Sequence, residues 1–181
     1  MAEALSPFGR LWAVGLFLLS MAVVLFAALL PLPRSAGALP GPELMFPLAA
    51  VWTMRRPGVV PFWVMAAVFL VADLLLMRPL ALHTALALIA LDVLRSRSVT
   101  GRTSNLVQEW WSLALVLTAM TLAEAAILTL FLVPQPGLGL WLIRLGLTIA
   151  AYPVVVMLAA RPFGLKPRRE SDRDLIVGRT A

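Results

Sequence analysis

The chain is organised as apolar stretches divided by short polar or proline-containing breaks. Six apolar segments lie at about 11–31, 41–54, 58–77, 79–94, 111–133 and 138–160. The breaks are Pro31-Leu32-Pro33, Pro40-Gly41-Pro42, Arg56-Pro57-Gly58, Arg78-Pro79, Gly101 and Pro134-Gln135-Pro136-Gly137, where proline and glycine interrupt regular structure. None of the segments alternates with a period of two, as a barrel strand does. In hydrocarbon a backbone amide has no water to bond, so helices are the economical form for such segments. The pattern predicts an all-α, polytopic membrane bundle of about six transmembrane helices over residues 1–160, with a tail at 161–181.

Segment lengths qualify this expectation. Ala36-Gly37-Ala38 resembles a signal-peptidase site, but the apolar run before it reaches about 20 residues, whereas a signal h-region has about 7–15. The first segment is therefore expected to remain as a helix. The second is short and contains Pro47, so a broken or re-entrant segment packed against other helices is a further possibility.

Composition points the same way. Of 181 residues, 61% are hydrophobic and 13% charged, against about 25% charged in soluble domains. Cysteine is absent, which excludes disulfides, thiolate metal sites and cysteine nucleophiles. The net charge of +6 would suggest nucleic acid in a soluble protein. Here the placement of the basic residues points instead to anionic lipid headgroups at the cytoplasmic face, and no nucleic acid is expected.

With six spans and a cytoplasmic N-terminus, the inner side holds Arg10, Arg55, Arg56, Arg95, Arg97, Arg102 and the basic residues of the tail. The outer side holds Arg34 and Arg78. This asymmetry orients the last four helices with the C-terminus inside. It does not decide the first two, because a five-span arrangement with an outer N-terminus exchanges Arg10 for Arg34 and scores equally. Residues 161–181 carry Arg161, Lys166, Arg168, Arg169, Arg173 and Arg179, and are expected to be a basic cytoplasmic tail that anchors the last helix. Trp12, Trp110 and Trp111 are expected at the interfaces.

Ionisable residues inside spans cost about 2.5–3.5 kcal/mol each on insertion scales, so each requires an explanation. Four stand out: Asp73, His83, Glu124 and Arg144. Asp73 and His83 flank Arg78 at equal distances, which puts them at one level of an antiparallel hairpin. Arg144 lies near the outer end of the last span, and Glu124 lies deeper. Arg144, Thr148 and Tyr152 share one helix face that should look into the bundle. The plainest reading is that Asp73 or Glu124 neutralises Arg144 and sets helix registry. A ligand or ion site and a proton path are the other readings. Asp92 and Glu109, near inner ends, are expected to be interfacial.

Catalytic patterns are missing from the sequence. It has a single histidine and no H-E-x-x-H, Walker loop, G-x-G-x-x-G or G-x-S-x-G, and His83 has no evident serine partner. No enzyme activity, metal or cofactor is expected. Ala81 and Ala85, and Ala119 and Ala123, are spaced four apart and would allow close helix approach, within the bundle or against a partner helix.

Gly41-Pro42-Glu43 opening a short span, then Arg55-Arg56-Pro57, then Val71-Ala72-Asp73-Leu74-Leu75 before a turn, resembles the MreD family of bacterial rod-shape-determining membrane proteins. Pro42 and Asp73 match positions usual in that family. The resemblance implies a non-enzymatic scaffold of the cell-elongation machinery in the bacterial cytoplasmic (inner) membrane, with both termini cytoplasmic. It implies direct binding to MreC, in a complex with MreB, a RodA-type glycosyltransferase and a penicillin-binding transpeptidase of peptidoglycan synthesis. It also implies a fold similar to the substrate-binding subunit of energy-coupling-factor transporters, which supplies the alternative of a vitamin-type binding subunit. Against that alternative, the first helix lacks the Ala-x-x-x-Ala docking strip of those subunits. The proposed contact surface is the outer half of the third and fourth spans, around Ala81 and Ala85.

Overall fold

The computed structural model describes residues 7–30, 40–79, 81–99, 105–135 and 137–163. Its regular structure is six α-helices: α1 (Pro7–Leu29), α2 (Met45–Arg55), α3 (Phe62–Leu75), α4 (Leu82–Val99), α5 (Leu106–Leu130) and α6 (Leu138–Phe163). Three of these are long and apolar enough to cross a membrane, over Phe8–Leu29, Leu106–Leu130 and Leu138–Ala159. Helix α3 is apolar but shorter.

The shortest helix occupies the centre. All eleven residues of α2 are buried, among α1, α4, α5 and α6. At 1.5 Å per residue it is only about 16 Å long, less than the ~30 Å hydrocarbon core. Its surroundings are the neighbouring helices, which bury it on all sides. Pro47 falls in its first turn, where a missing N–H costs no helical bond. Trp52 is fully buried and meets Phe17 of α1 edge to face at 5.8 Å. Helix α3 packs on α4 and α1 at the periphery.

The helix ends follow local chemistry, and several differ from the apolar boundaries. α5 begins at Leu106 and not near 111, because the Asn105 side chain accepts the Gln108 N–H at 2.9 Å and caps the first turn. α4 starts at Leu82, after Pro79, and continues to Val99, beyond the apolar segment's end at 94. Both α3 and α5 close in Schellman turns. Arg78 N–H donates to Asp73 O and Met77 N–H to Leu74 O around Met77 at φ 53°; Val133 N–H donates to Leu128 O and Leu132 N–H to Thr129 O around Leu132 at φ 55°.

Two ends of the bundle are defined by contacts between distant residues. At one, Arg10 of α1 donates to the carbonyl of Gly58 in the α2–α3 turn, and Arg95 of α4 comes close to the same glycine. The other gathers the segment before α2, the α3–α4 turn and the start of α6. The outer surface between them is apolar, with Phe26, Ile89 and Leu158 each more than 60% exposed, while Asp73, His83, Glu109 and Thr148 are buried. Such an exterior suits lipid, since a water-soluble monomer rarely shows so large a continuous apolar surface. Helix α6 runs to Phe163, into the first three residues of the tail expected at 161–181; residues 164–181 and the Ala36-Gly37-Ala38 site lie outside the described residues.

Candidate functional site

The site grows from one residue, Glu43. It sits between Pro42, whose ring holds φ near −65°, and the first turn of α2, where its own backbone N–H donates to Thr148 Oγ1 at 3.0 Å. Its carboxylate then meets three cationic or potentially cationic groups from three elements. Arg78 Nη1, from the α3–α4 turn, donates to Oε1 at 2.7 Å, and Arg144 Nη2, from α6, donates to Oε2 at 3.1 Å. His83 Nε2, from the first turn of α4, lies 3.1 Å from Oε1, at ion-pair distance but without hydrogen-bond alignment. The other imidazole nitrogen, Nδ1, is 3.2 Å from Glu124 Oε2 on α5. Only Nδ1 is placed to share a hydrogen bond, with Glu124, while Nε2 faces Glu43 at ion-pair distance.

Glu43 thus ties the segment before α2, the α3–α4 turn, α4 and α6 together, and His83 extends the chain of contacts to α5. The expectation that Asp73 or Glu124 neutralises Arg144 is corrected: Arg144 pairs with Glu43, and Glu124 pairs with His83. Glu43 lies just before α2, close enough for Arg144, half exposed on its side chain, to reach it.

Asp73 does different work. It is fully buried, and its Oδ2 accepts from both the backbone N–H (3.0 Å) and the hydroxyl (2.7 Å) of Thr84. Thr84 is the third residue of α4, so Asp73 caps that helix from the preceding one. The cap is supplied from outside because the residue before α4, Ala81, has no polar side chain and stands at φ 65°. A carboxylate at a helix N-terminus also meets the positive end of its dipole.

A second buried cluster lies toward the opposite end. Arg55 Nη2, at the end of α2, donates to Glu109 Oε2 at 2.8 Å, with side chains only 2% and 4% exposed. The Tyr152 hydroxyl donates to the same oxygen at 3.4 Å. Glu109 is therefore not interfacial as expected. α5 begins a turn earlier than its apolar boundary and carries this residue inside the bundle. Asp92 is exposed on α4. Arg144, Thr148 and Tyr152 on one face of α6 join the two clusters, the first two to Glu43 and the third to Glu109. Trp110 is half-buried and donates its indole N–H to Ile149 O at 2.9 Å, while Trp12 and Trp111 are exposed.

The small-residue positions look outward. Ala81, Ala85 and Ala119 are exposed and Ala123 is half-buried. The first three are therefore not close-packed inside the bundle. The buried faces of α4 and α5 carry Ala87, Ala90, Leu91 and Leu94, and Leu113, Val116, Leu117 and Met120. Ala81 precedes α4 and does not belong to it.

Glu43, Arg78 and Glu109 were not singled out as intramembrane partners from sequence. The available signal was an acidic residue directly after Gly41-Pro42 at the mouth of an apolar segment. Among the described residues, no three histidine, cysteine, aspartate or glutamate side chains converge as a metal site. Glu43 and Glu124 approach His83 from opposite nitrogens. No family model, curated protein or solved structure matches the chain.

Proposed function

We propose that this chain is a non-enzymatic membrane scaffold of MreD type, crossing the bacterial cytoplasmic membrane six times with both termini inside. On this reading it holds MreC through helix contacts, in a complex with MreB, a RodA-type glycosyltransferase and a penicillin-binding transpeptidase. The observation that carries the proposal is the closure of the Glu43 network. Its charged groups are engaged with one another across the segment before α2, the α3–α4 turn, α4, α5 and α6, an arrangement that fixes helix positions. A vitamin-type binding subunit, the alternative function, needs such groups turned toward a ligand. Further support comes from the outward-facing alanines beside Ile89 and Leu115, a surface on which a partner's transmembrane helix can pack closely.

Pull-down of the tagged chain from membranes is the direct test. Recovery of MreC, lost on Ala85→Leu or Ala119→Leu with the chain still inserted, is the expected result. Recovery of an ATPase-coupled partner with a retained small molecule would defeat the scaffold reading in favour of the transporter subunit. A reporter fused at Met1 tests the six-span topology, and an external N-terminus would contradict it.

A further inference from the structure

We propose that the recess at the α2–α3–α4 end of the bundle is a binding site for the headgroup of an anionic phospholipid. The recess is walled by Thr53 and Arg56 of the α2 end, Gly58 and Val60 of the turn, Phe62 and Met65 of α3, and Leu88, Leu91, Asp92 and Arg95 of α4. Its polar rim is made of guanidinium groups from three elements. Arg56 and Arg95 line it directly, and Arg10 of α1 reaches its edge by donating to the Gly58 carbonyl at 3.4 Å. Among the described residues, no carboxylate lies within ion-pair distance of the Arg95 guanidinium. One acidic residue, Asp92, shares the rim with these arginines.

Gly58 shapes the site. It stands at φ 88°, and Arg95 Nη2 lies 3.7 Å from where a Cβ would project. A left-handed residue here folds the turn back beneath α4 and brings its carbonyl to Arg10. The enclosed part is about 20 Å³, room for one water-sized group. It therefore takes a phosphate oxygen, with the rest of the headgroup at the mouth.

The apolar surroundings decide between a lipid and a free anion. Met65, Leu88 and Leu91 line it together with Phe62, which is 57% exposed, and the next residue of α3, Trp63, is 71% exposed. A free phosphate has no use for that surface, whereas an acyl chain lies along it. Basic recesses between helices on the cytoplasmic side are recognised places for anionic headgroups. The inference rests on the chain being embedded in a bilayer and not on its being a scaffold, so failure to bind MreC leaves it standing.

Reconstitution of the full chain into nanodiscs containing equal phosphatidylglycerol and phosphatidylcholine, followed by native mass spectrometry, tests the site. A chain that does not insert overturns the bilayer premise and the inference with it. Phosphatidylglycerol should be retained over phosphatidylcholine. Arg95→Gln should lower its retention about fivefold, with a similar further loss for Arg56→Gln, since each basic residue near anionic lipid contributes about 1 kcal/mol. Asp92→Asn should raise retention. Arg97→Gln, which removes a charge from the same end of α4 outside the recess, should change it less than twofold. Equal retention of the two lipids by the parent protein, a measurement that requires no variant, would overturn the proposal. So would an equal loss with Arg97→Gln, or displacement of the lipid by millimolar inorganic phosphate.

Discussion

Glu109→Ala should be among the most damaging single substitutions in this protein, because it leaves the Arg55 guanidinium inside the bundle without its carboxylate. Both side chains are at most 4% exposed and their atoms meet at 2.8 Å. Removing one partner of such a pair costs about 3–5 kcal/mol, since the remaining charge stays desolvated. Arg55 makes another contact besides this one, which places the expected loss near the lower end, about 3 kcal/mol. The Tyr152 hydroxyl also loses its acceptor, a smaller effect of about 1 kcal/mol at 3.4 Å. Tyr152→Phe measures that part alone. The informative variant is the double substitution Arg55→Met with Glu109→Leu, which removes both charges and retains volume. It should recover stability to within about 1 kcal/mol of the parent, because both desolvation costs disappear along with the attraction. Reversible unfolding in mixed detergent micelles, followed by helical circular dichroism, gives all four free energies. A loss below about 1 kcal/mol for Glu109→Ala, or a double variant no more stable than Glu109→Ala, would refute the reasoning.

Three further outcomes are expected. Thr84→Val should cost about 1.5–3 kcal/mol, because a buried carboxylate loses one of its two donors, and the Thr84 N–H should become faster in hydrogen exchange as the α4 cap loosens. Gly58→Ala has space for the methyl group but not the backbone freedom, so a loss of about 1–2 kcal/mol should appear as a lowered thermal midpoint. Asn105→Ala removes an exposed cap and should cost about 1 kcal/mol, with fraying confined to the first turn of α5 in hydrogen exchange.

Much of the architecture is legible from pattern alone. Apolar segments broken by proline and glycine locate six helices, since both residues act through local backbone geometry that needs no knowledge of neighbours. Helix ends are less legible. Leu106 as the start of α5 depends on the Asn105 cap, and the continuation of α4 through Arg95 and Arg97 carries it past the apolar boundary that hydropathy marks. The polar residues divide in the same way. Asp73, His83, Glu124 and Arg144 stand out because charge in an apolar segment is costly, but nothing in the linear order says which of them meet.

That choice belongs to tertiary structure. Glu43 is a loop residue by sequence, and it becomes the hub only because α2 is buried at the centre, bringing its leading segment against α6, the α3–α4 turn and His83. Ala85 and Ala119 likewise acquire outward faces from the rotation of α4 and α5 about their axes, which spacing along the chain leaves open. Hydrophobicity and turn chemistry are short-range properties, so the sequence by itself determined an all-helical, apolar-surfaced chain with its basic and acidic residues at known positions. Which charges pair, which helix is central and which surface remains exposed depend on packing between segments up to about a hundred residues apart, as Glu43 and Arg144 are.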